Sequence, residues 1–340
     1  MANYSRDENQ KIISDFLCSS ELTEGIHGEL RWAAALNVFL SFTTFTANVI
    51  FLIALNKISS LHPPSKLLFR TLATADLCVG IICQPLTVVA LLPEVKQHIH
   101  VCRYTSIVRL LISYALCMVS LLTSTGINMD RLFALSLKLR YKQLVTLKRT
   151  HVVVTLFWVI SIAFTALSVI INSITALVFT VVLVSCLIIS VLSYGKIFSV
   201  LRQNQNQVGF RAFRQRKTNE TAPLNATVYR KTVYTVLLVQ LALIVCYTPY
   251  TIITLLLSVS SIKPVRPSVW LLLGWRYTGT LLYFNSSLNP FLYCLKMRAV
   301  KNAMKETIQQ IFCSFGCIRE KLNCVVVVDG EQQTTVSSLS

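Results

Sequence analysis

Long uncharged apolar stretches alternate with short charged ones along this chain, and the lengths of the apolar stretches dictate its architecture. Leu110 to Met129 is 20 residues without a charge, preceded by Arg109 and closed by Asp130 and Arg131. An α-helix rising ~1.5 Å per residue needs about 20 apolar residues to cross a bilayer's hydrocarbon, so this stretch predicts one complete span bounded by charge. Trp32 to Asn56 predicts a span before it, and Leu67 to Leu92 another, with Asp76 inside and Pro85 placed to kink it. Val152 to Gly195 runs 44 residues without a charge, about twice what one crossing needs, and must fold back on itself. Its most polar point, Asn172-Ser173, divides it into a fourth span ending near Ile171 and a fifth starting near Ile174. Thr232 to Ile262, with Pro249 inside, and Ser268 to Leu295, with Arg276 near its start, complete the set. The expected fold is an all-α membrane protein, a seven-transmembrane helix bundle over residues 32–295.

Charge orients the bundle. The loops after spans one, three and five and the C-terminal tail hold 22 Lys or Arg, whereas the N-terminal tail and the remaining loops hold eight. Basic loops stay in the cytoplasm, so the N-terminus is expected outside and the C-terminus inside. Residues 1–31 then form an extracellular tail whose Asn3-Tyr4-Ser5 is a usable glycosylation acceptor, while the sequons at Asn219 and Asn225 fall on the side where none is glycosylated. Residues 296–312 carry Lys296, Arg298, Lys301 and Lys305 beside a stripe of Val300, Met304, Ile308 and Ile311. That pattern suits a short amphipathic helix on an anionic inner leaflet. Cys313 and Cys317 after it are palmitoylation candidates, and 313–340 forms a hydroxyl-rich cytoplasmic tail.

Composition narrows the function classes. With 54% hydrophobic and 14% charged residues, a chain of 340 residues is too apolar for a water-soluble globule. The net charge of +18 would otherwise suggest nucleic acid, but the basic residues sit between apolar spans rather than on a soluble reading module. The eleven cysteines lack the paired spacing of a metal site, and the five histidines, at 27, 62, 98, 100 and 151, are expected on solvated surface at loops and span ends. No enzymatic constellation lies within the spans. No signal peptide precedes the first span, which is expected to act as an uncleaved anchor in the plasma membrane. A multi-span transporter or channel is the alternative, against which stand the odd span count and the lack of an internal repeat.

Several residue clusters carry a resemblance to rhodopsin-like G-protein-coupled receptors. Asp130-Arg131 closes the third span as the family's Asp-Arg-Tyr turn does, with Leu132 for Tyr. Asn48, Leu72-Ala73-Thr74-Ala75-Asp76, Trp158, Tyr194-Gly195-Lys196-Ile197, Cys246-Tyr247-Thr248-Pro249 and Asn289-Pro290-Phe291-Leu292-Tyr293 resemble the signatures of spans one, two, four, five, six and seven in order. The resemblance implies that an extracellular ligand activates a heterotrimeric G protein, with arrestin and a receptor kinase as further partners of the tail. It implies an activation switch of Asp130, Arg131, Tyr194, Tyr247, Pro249, Asn289, Pro290 and Tyr293. It also implies a mid-membrane network of Asn48, Asp76, Ser120, Asn285, Ser286 and Asn289, occupied by a sodium ion or closed as a hydrogen-bonded plug around a protonated Asp76. No other cofactor is expected.

The departures from the pattern are informative. Tyr229 and Arg230 stand where many relatives have an acid for the switch arginine, which implies no ionic lock and raised basal activity. Cys186 replaces the fifth-span proline, and Val300 stands where the terminal helix usually has Phe. Ser106 takes the place of the usual third-span cysteine above a nearly absent second outer loop, which resembles the melanocortin, lysophospholipid, cannabinoid and adenosine receptor grouping. Cys18 and Cys102 either bridge or stay free. Ser113 stands where amine receptors carry Asp, which argues against a biogenic amine. The ligand pocket is expected from Arg109, Ser113, Tyr114, Cys117, Tyr247, Thr251, Trp275 and Arg276. Its two arginines suit an anionic lipid or an acidic peptide end, or else snorkel to headgroups.

Overall fold

The computed structural model describes residues 25–92, 99–137, 140–170, 178–193, 195–197, 199, 241–257 and 269–313. Seven helices among them follow the expected order: α1 His27–Lys57, α2 Pro63–Leu91, α3 Ile99–Leu137, α4 Leu147–Ile170, α5 Val178–Ile197, α6 Leu241–Leu257 and α7 Val269–Lys296. Helices α1 to α5 are long and apolar enough to cross a membrane by length and composition. An eighth helix, α8, covers residues 298–313, and a single helical turn, Tyr141–Leu144, links α3 to α4. The fold-back expected at Asn172-Ser173 and the outer parts of the Thr232–Ile262 span lie outside the described residues.

The span limits read from charge are too short at several ends. Helix α1 begins at His27 and α3 runs 39 residues, about 58 Å at the usual rise, far beyond the hydrocarbon. A charge marks where the lipid stops, whereas a helix stops where its backbone hydrogen bonds or its dihedrals do. Thus α1 ends where Ile58 turns extended (φ −81°, ψ 109°), and α2 begins on Pro63 and Pro64, whose missing donors and preset φ suit a first turn. Within α2, the expected kink at Pro85 takes the form of a π-helical turn, Val79–Cys83. Pro85 offers no amide to the preceding turn, and the wider turn absorbs that loss. Hydroxyls inside the helices bond back one turn, as in Thr71 to Leu67, Thr125 to Leu121 and Thr280 to Arg276, and so stay satisfied without water.

Two apolar clusters fill the interior. One joins Cys117, Leu121, Leu183, Tyr247, Leu272 and Tyr283, and the other joins Phe51, Phe69, Leu72, Ile127, Tyr293 and Met304. Val300 and Met304 seat α8 in the second cluster, Ile311 is partly buried, and Ile308 of the anticipated stripe faces outward. Aliphatic and aromatic side chains cover the outside, among them Trp32, Trp270 and Tyr104, each about three-quarters exposed, as a lipid-facing surface requires. Their positions at the starts of α1, α7 and α3 match the aromatic belt of a membrane interface.

Candidate functional site

Between the two clusters lies a polar layer built around Asp76, which is fully buried. Ser120 Oγ on α3 donates to its Oδ1 at 2.9 Å, and Asn289 Nδ2 on α7 donates to its Oδ2 at 2.7 Å. Three segments far apart in sequence thus meet at one carboxylate, as the family resemblance implied. Asn48 does not bond Asp76. Its Nδ2 donates to the carbonyls of Thr44 and Ser286, at 2.9 and 3.1 Å, tying α1 to α7. Oδ1 of Asn48 and Oδ1 of Asn285 are buried without a hydrogen-bond partner. Ser286, next to Asn285 in sequence, is 4% exposed.

At the far end of α3, Asp130 is held by groups that sequence reasoning missed. Tyr141 OH donates to its Oδ1 and Ser65 Oγ to its Oδ2, both at 2.7 Å, while Arg131 Nη2 stands 3.8 Å from Oδ2. With both oxygens engaged, the carboxylate holds its neighbouring arginine only loosely, and the Arg131 guanidinium instead lies 5.6 Å from the Phe69 ring centroid. Phe69 in turn meets Tyr293 edge-on at 4.7 Å, and Phe51 stacks on Tyr293 at 5.9 Å. Nearby His62 packs on the Tyr141 ring at 5.1 Å, so it is not the solvated histidine expected. Leu132, in the family's tyrosine place, is buried. Tyr141 lies in the loop, and its phenol is pushed up to about 12 by burial first and then by Asp130, so it remains a donor. Tyr194, Tyr229 and Arg230 lie outside the described residues.

At the opposite end, α2, α3, α6 and α7 converge on a small cavity. Arg109, Ser113, Tyr114, Cys117, Trp275 and Arg276 line it, six of the eight expected residues. Tyr247 and Thr251 do not. Tyr247 is 1% exposed within the apolar cluster, and Thr251 spends its hydroxyl on the Tyr247 carbonyl. In their place the wall includes Tyr250 and Tyr283, the latter sharing a 2.7 Å hydrogen bond with Ser113. Helical spacing could have found Tyr250, one position from the Pro249 hinge, but the Ser113–Tyr283 pair spans 170 positions with no local signature.

The two arginines do not snorkel. Arg109 is 6% and Arg276 5% exposed, and each guanidinium carbon lies 5.3 Å from the Trp275 ring centroid. Arg109 therefore marks no membrane boundary; it turns inward from the middle of a longer helix. Cys102, near the start of α3, is disulfide-bonded, which overturns the free-thiol reading for that residue, whereas Cys18 lies outside the described residues. Cys313 is exposed and free at the end of α8, and Cys317 and Asn3 are outside the described residues.

Comparison with known proteins agrees with this geometry. The chain matches the 7 transmembrane receptor (rhodopsin family) over residues 47–177 and 169–293. It is 26% identical to the histamine H2 receptor of Rattus norvegicus over 304 residues, covering 82% of this chain and 78% of that one. The human histamine H2 receptor is 27% identical, with 81% and 77% covered. The adenosine receptor A2b of Bos taurus is 29% identical over 127 residues, 37% of each chain.

Proposed function

Because the chain belongs to the rhodopsin family of seven-transmembrane receptors, and is a multi-pass G-protein-coupled receptor rather than an enzyme, a transporter or a channel, we propose how its two ends divide the work. The cavity around Trp275 faces outside the cell and takes the ligand. The Asp130–Arg131 end faces the cytoplasm and takes the G protein. The excess of basic residues on the loops at the Asp130 end supports this orientation in the plasma membrane.

The observation that carries the reading is the convergence of Ser120 and Asn289 on Asp76. These three side chains tie α2, α3 and α7 together midway between the cavity and the Arg131 end. A ligand that favours a different packing of α3 against α7 must break or exchange these bonds, and the inner end feels the change. Pro249 and Pro290 supply the weak points in α6 and α7 where such motion concentrates. Release of Arg131 from Phe69, with rearrangement of Tyr293 and Tyr194, would then open the face that receives the transducer.

A sodium ion fits the middle layer. Asp76 supplies the charge, Ser120 a hydroxyl, and the unpartnered buried carbonyl oxygens of Asn48 and Asn285 are hard ligands of the type such an ion prefers. Receptor kinase and arrestin would act on the tail beyond α8, and acylation of Cys313 and Cys317 would hold α8 to the inner leaflet. Of the relatives, the histamine receptors are named for a ligand that bears an ammonium group. Here Ser113 and two buried arginines offer that group no counter-ion, so histamine itself is not the ligand we propose. Expression in cells with basal cAMP and calcium recorded for wild type and Arg131→Ala tests the signalling reading. A change in either pathway is expected, and silence in both would refute it.

A further inference from the structure

We infer that Cys102 is joined to Cys18, so that a disulfide ties the N-terminal tail to the head of α3 and braces the cavity end of the bundle from outside the cell. The bond goes beyond the division of labour between the two ends, and it supplies a ground for the outward placement of the cavity that does not use the loop charges.

The partner follows from the other thiols. Cys102 is disulfide-bonded and fully buried. Seven of the eleven cysteines, Cys78, Cys83, Cys117, Cys186, Cys246, Cys294 and Cys313, carry free thiols. Cys18, Cys317 and Cys324 remain, all outside the described residues. The last two follow α8, which sits at the far end of the bundle: Val300 and Met304 share a cluster with Phe69 and Ile127, and Lys57 at the end of α1 donates to Gln310. From Cys102 down α3 to Asp130 is 28 residues, about 42 Å at the usual rise. The 11 residues from Cys313 to Cys324 reach at most about 40 Å fully extended, and irregular backbone does not run through lipid. Neither tail cysteine reaches Cys102.

Cys18 does. It precedes the start of α1 at His27 by nine residues, which span up to about 30 Å. Leu30 on the first turn of α1 shares a cluster with Leu91 at the end of α2, and α2 packs against both α1 and α3. Two interaxial steps of about 8–10 Å therefore separate the heads of α1 and α3, within that reach.

The redox chemistry fixes the side of the membrane. Each thiol gives up a proton, and the pair gives two electrons to an exchanging protein disulfide, which leaves as a dithiol. The secretory lumen supplies that oxidant, whereas the cytosol keeps thiols reduced. The head of α3 therefore faces outside, and with it the cavity that Arg109, Ser113, Tyr114 and Cys117 line from the same helix. The bond closes α1, α2 and α3 into one covalent ring of chain at that end. With Ser106 in the place of the usual third-span cysteine, it is this bond that anchors the head of α3.

The test uses the full-length receptor purified without reductant. Free thiols are capped with N-ethylmaleimide under denaturing conditions, and the digest is read by mass spectrometry before and after reduction. A peptide pair joining Cys18 to Cys102 is expected. Capped Cys18, or Cys102 joined to any other cysteine, overturns the proposal, and this arm needs no variant to fold. In thermal unfolding, Cys18→Ser and Cys102→Ser should each lower the midpoint by roughly 4–10 °C, and the double variant should fall no further than the lower single, because all three lose one bond. Additive losses overturn the brace. On intact cells, a membrane-impermeant maleimide should label Cys102→Ser, through the freed Cys18, and neither wild type nor the double variant. Label that appears only after permeabilisation overturns the outward placement. None of these results bears on the signalling reading, which falls only with silent signalling.

Discussion

The Asp130 carboxylate shows how single side chains set the resting state. Tyr141 and Ser65 occupy its two oxygens, so Arg131 is held by the face of Phe69 more than by its acidic neighbour. A cation–π contact contributes about 0.5–2 kcal/mol. Phe69→Leu should therefore raise basal nucleotide exchange on purified G protein by about two- to thirty-fold. Tyr141→Phe should do the opposite, because the freed Oδ1 can close on Arg131; an unchanged or higher basal rate would disprove the arrangement. The pH behaviour follows from the raised phenol. Its donor form is fully present below the ordinary value of about 10 and is lost only as pH rises through about 12, so basal exchange should show no Tyr141 inflection between about pH 6 and 9. Little of this was legible in the sequence. Asp130-Arg131 stands out as an adjacent pair, but Ser65 and Phe69 reach them from another helix, and neither residue type announces such a role. Asp76 stood out because an ionisable group deep in an apolar run is costly, but its meeting with Asn289 was legible only through the family resemblance.

At the level of helices, the apolar stretches told how many there are and in what order, and they misjudged where each ends. Their interiors were readable because lipid tolerates few charges; their ends were not, since buried charges such as Arg109 sit well inside α3. The π turn of α2 shows what a proline signal leaves undetermined. It brings Gly80 against α1, where Ser41 Oγ donates to its carbonyl at 2.7 Å and an added Cβ would stand 3.2 Å from the Thr44 side chain and the Phe45 amide. Backbone cannot yield there as a flexible side chain can. Gly80→Val should cost about 1–3 kcal/mol, seen as a lower midpoint in detergent unfolding. Gly195→Ala, whose Cβ would meet nothing within 4 Å in α5, should leave stability unchanged or raise it by up to about 1 kcal/mol, seen as an unchanged or higher midpoint.

For the whole molecule, the arrangement is two apolar clusters separated by a polar layer, with a cavity beyond one and the Arg131 end beyond the other. If sodium occupies the layer, replacing sodium with choline in the buffer should raise basal exchange in wild type, and Asp76→Asn should be indifferent to the change. A variant that still responds to sodium would place the ion elsewhere. If the bundle is oriented as proposed, glycosidase should shift the gel mobility of wild type but not of Asn3→Gln. The layered plan was legible in outline because the spans could be placed in order, but the cavity's composition was not, since its wall is assembled from four helices. That wall also gives the protein an optical property. Of its four tryptophans, Trp32 and Trp270 face outward, whereas Trp275 is 8% exposed between two guanidiniums. Brominated acyl chains would darken the emission of the first two, and the residual ultraviolet signal would come largely from indoles inside the bundle, where the arrival of a guest beside the ring alters its colour without any label.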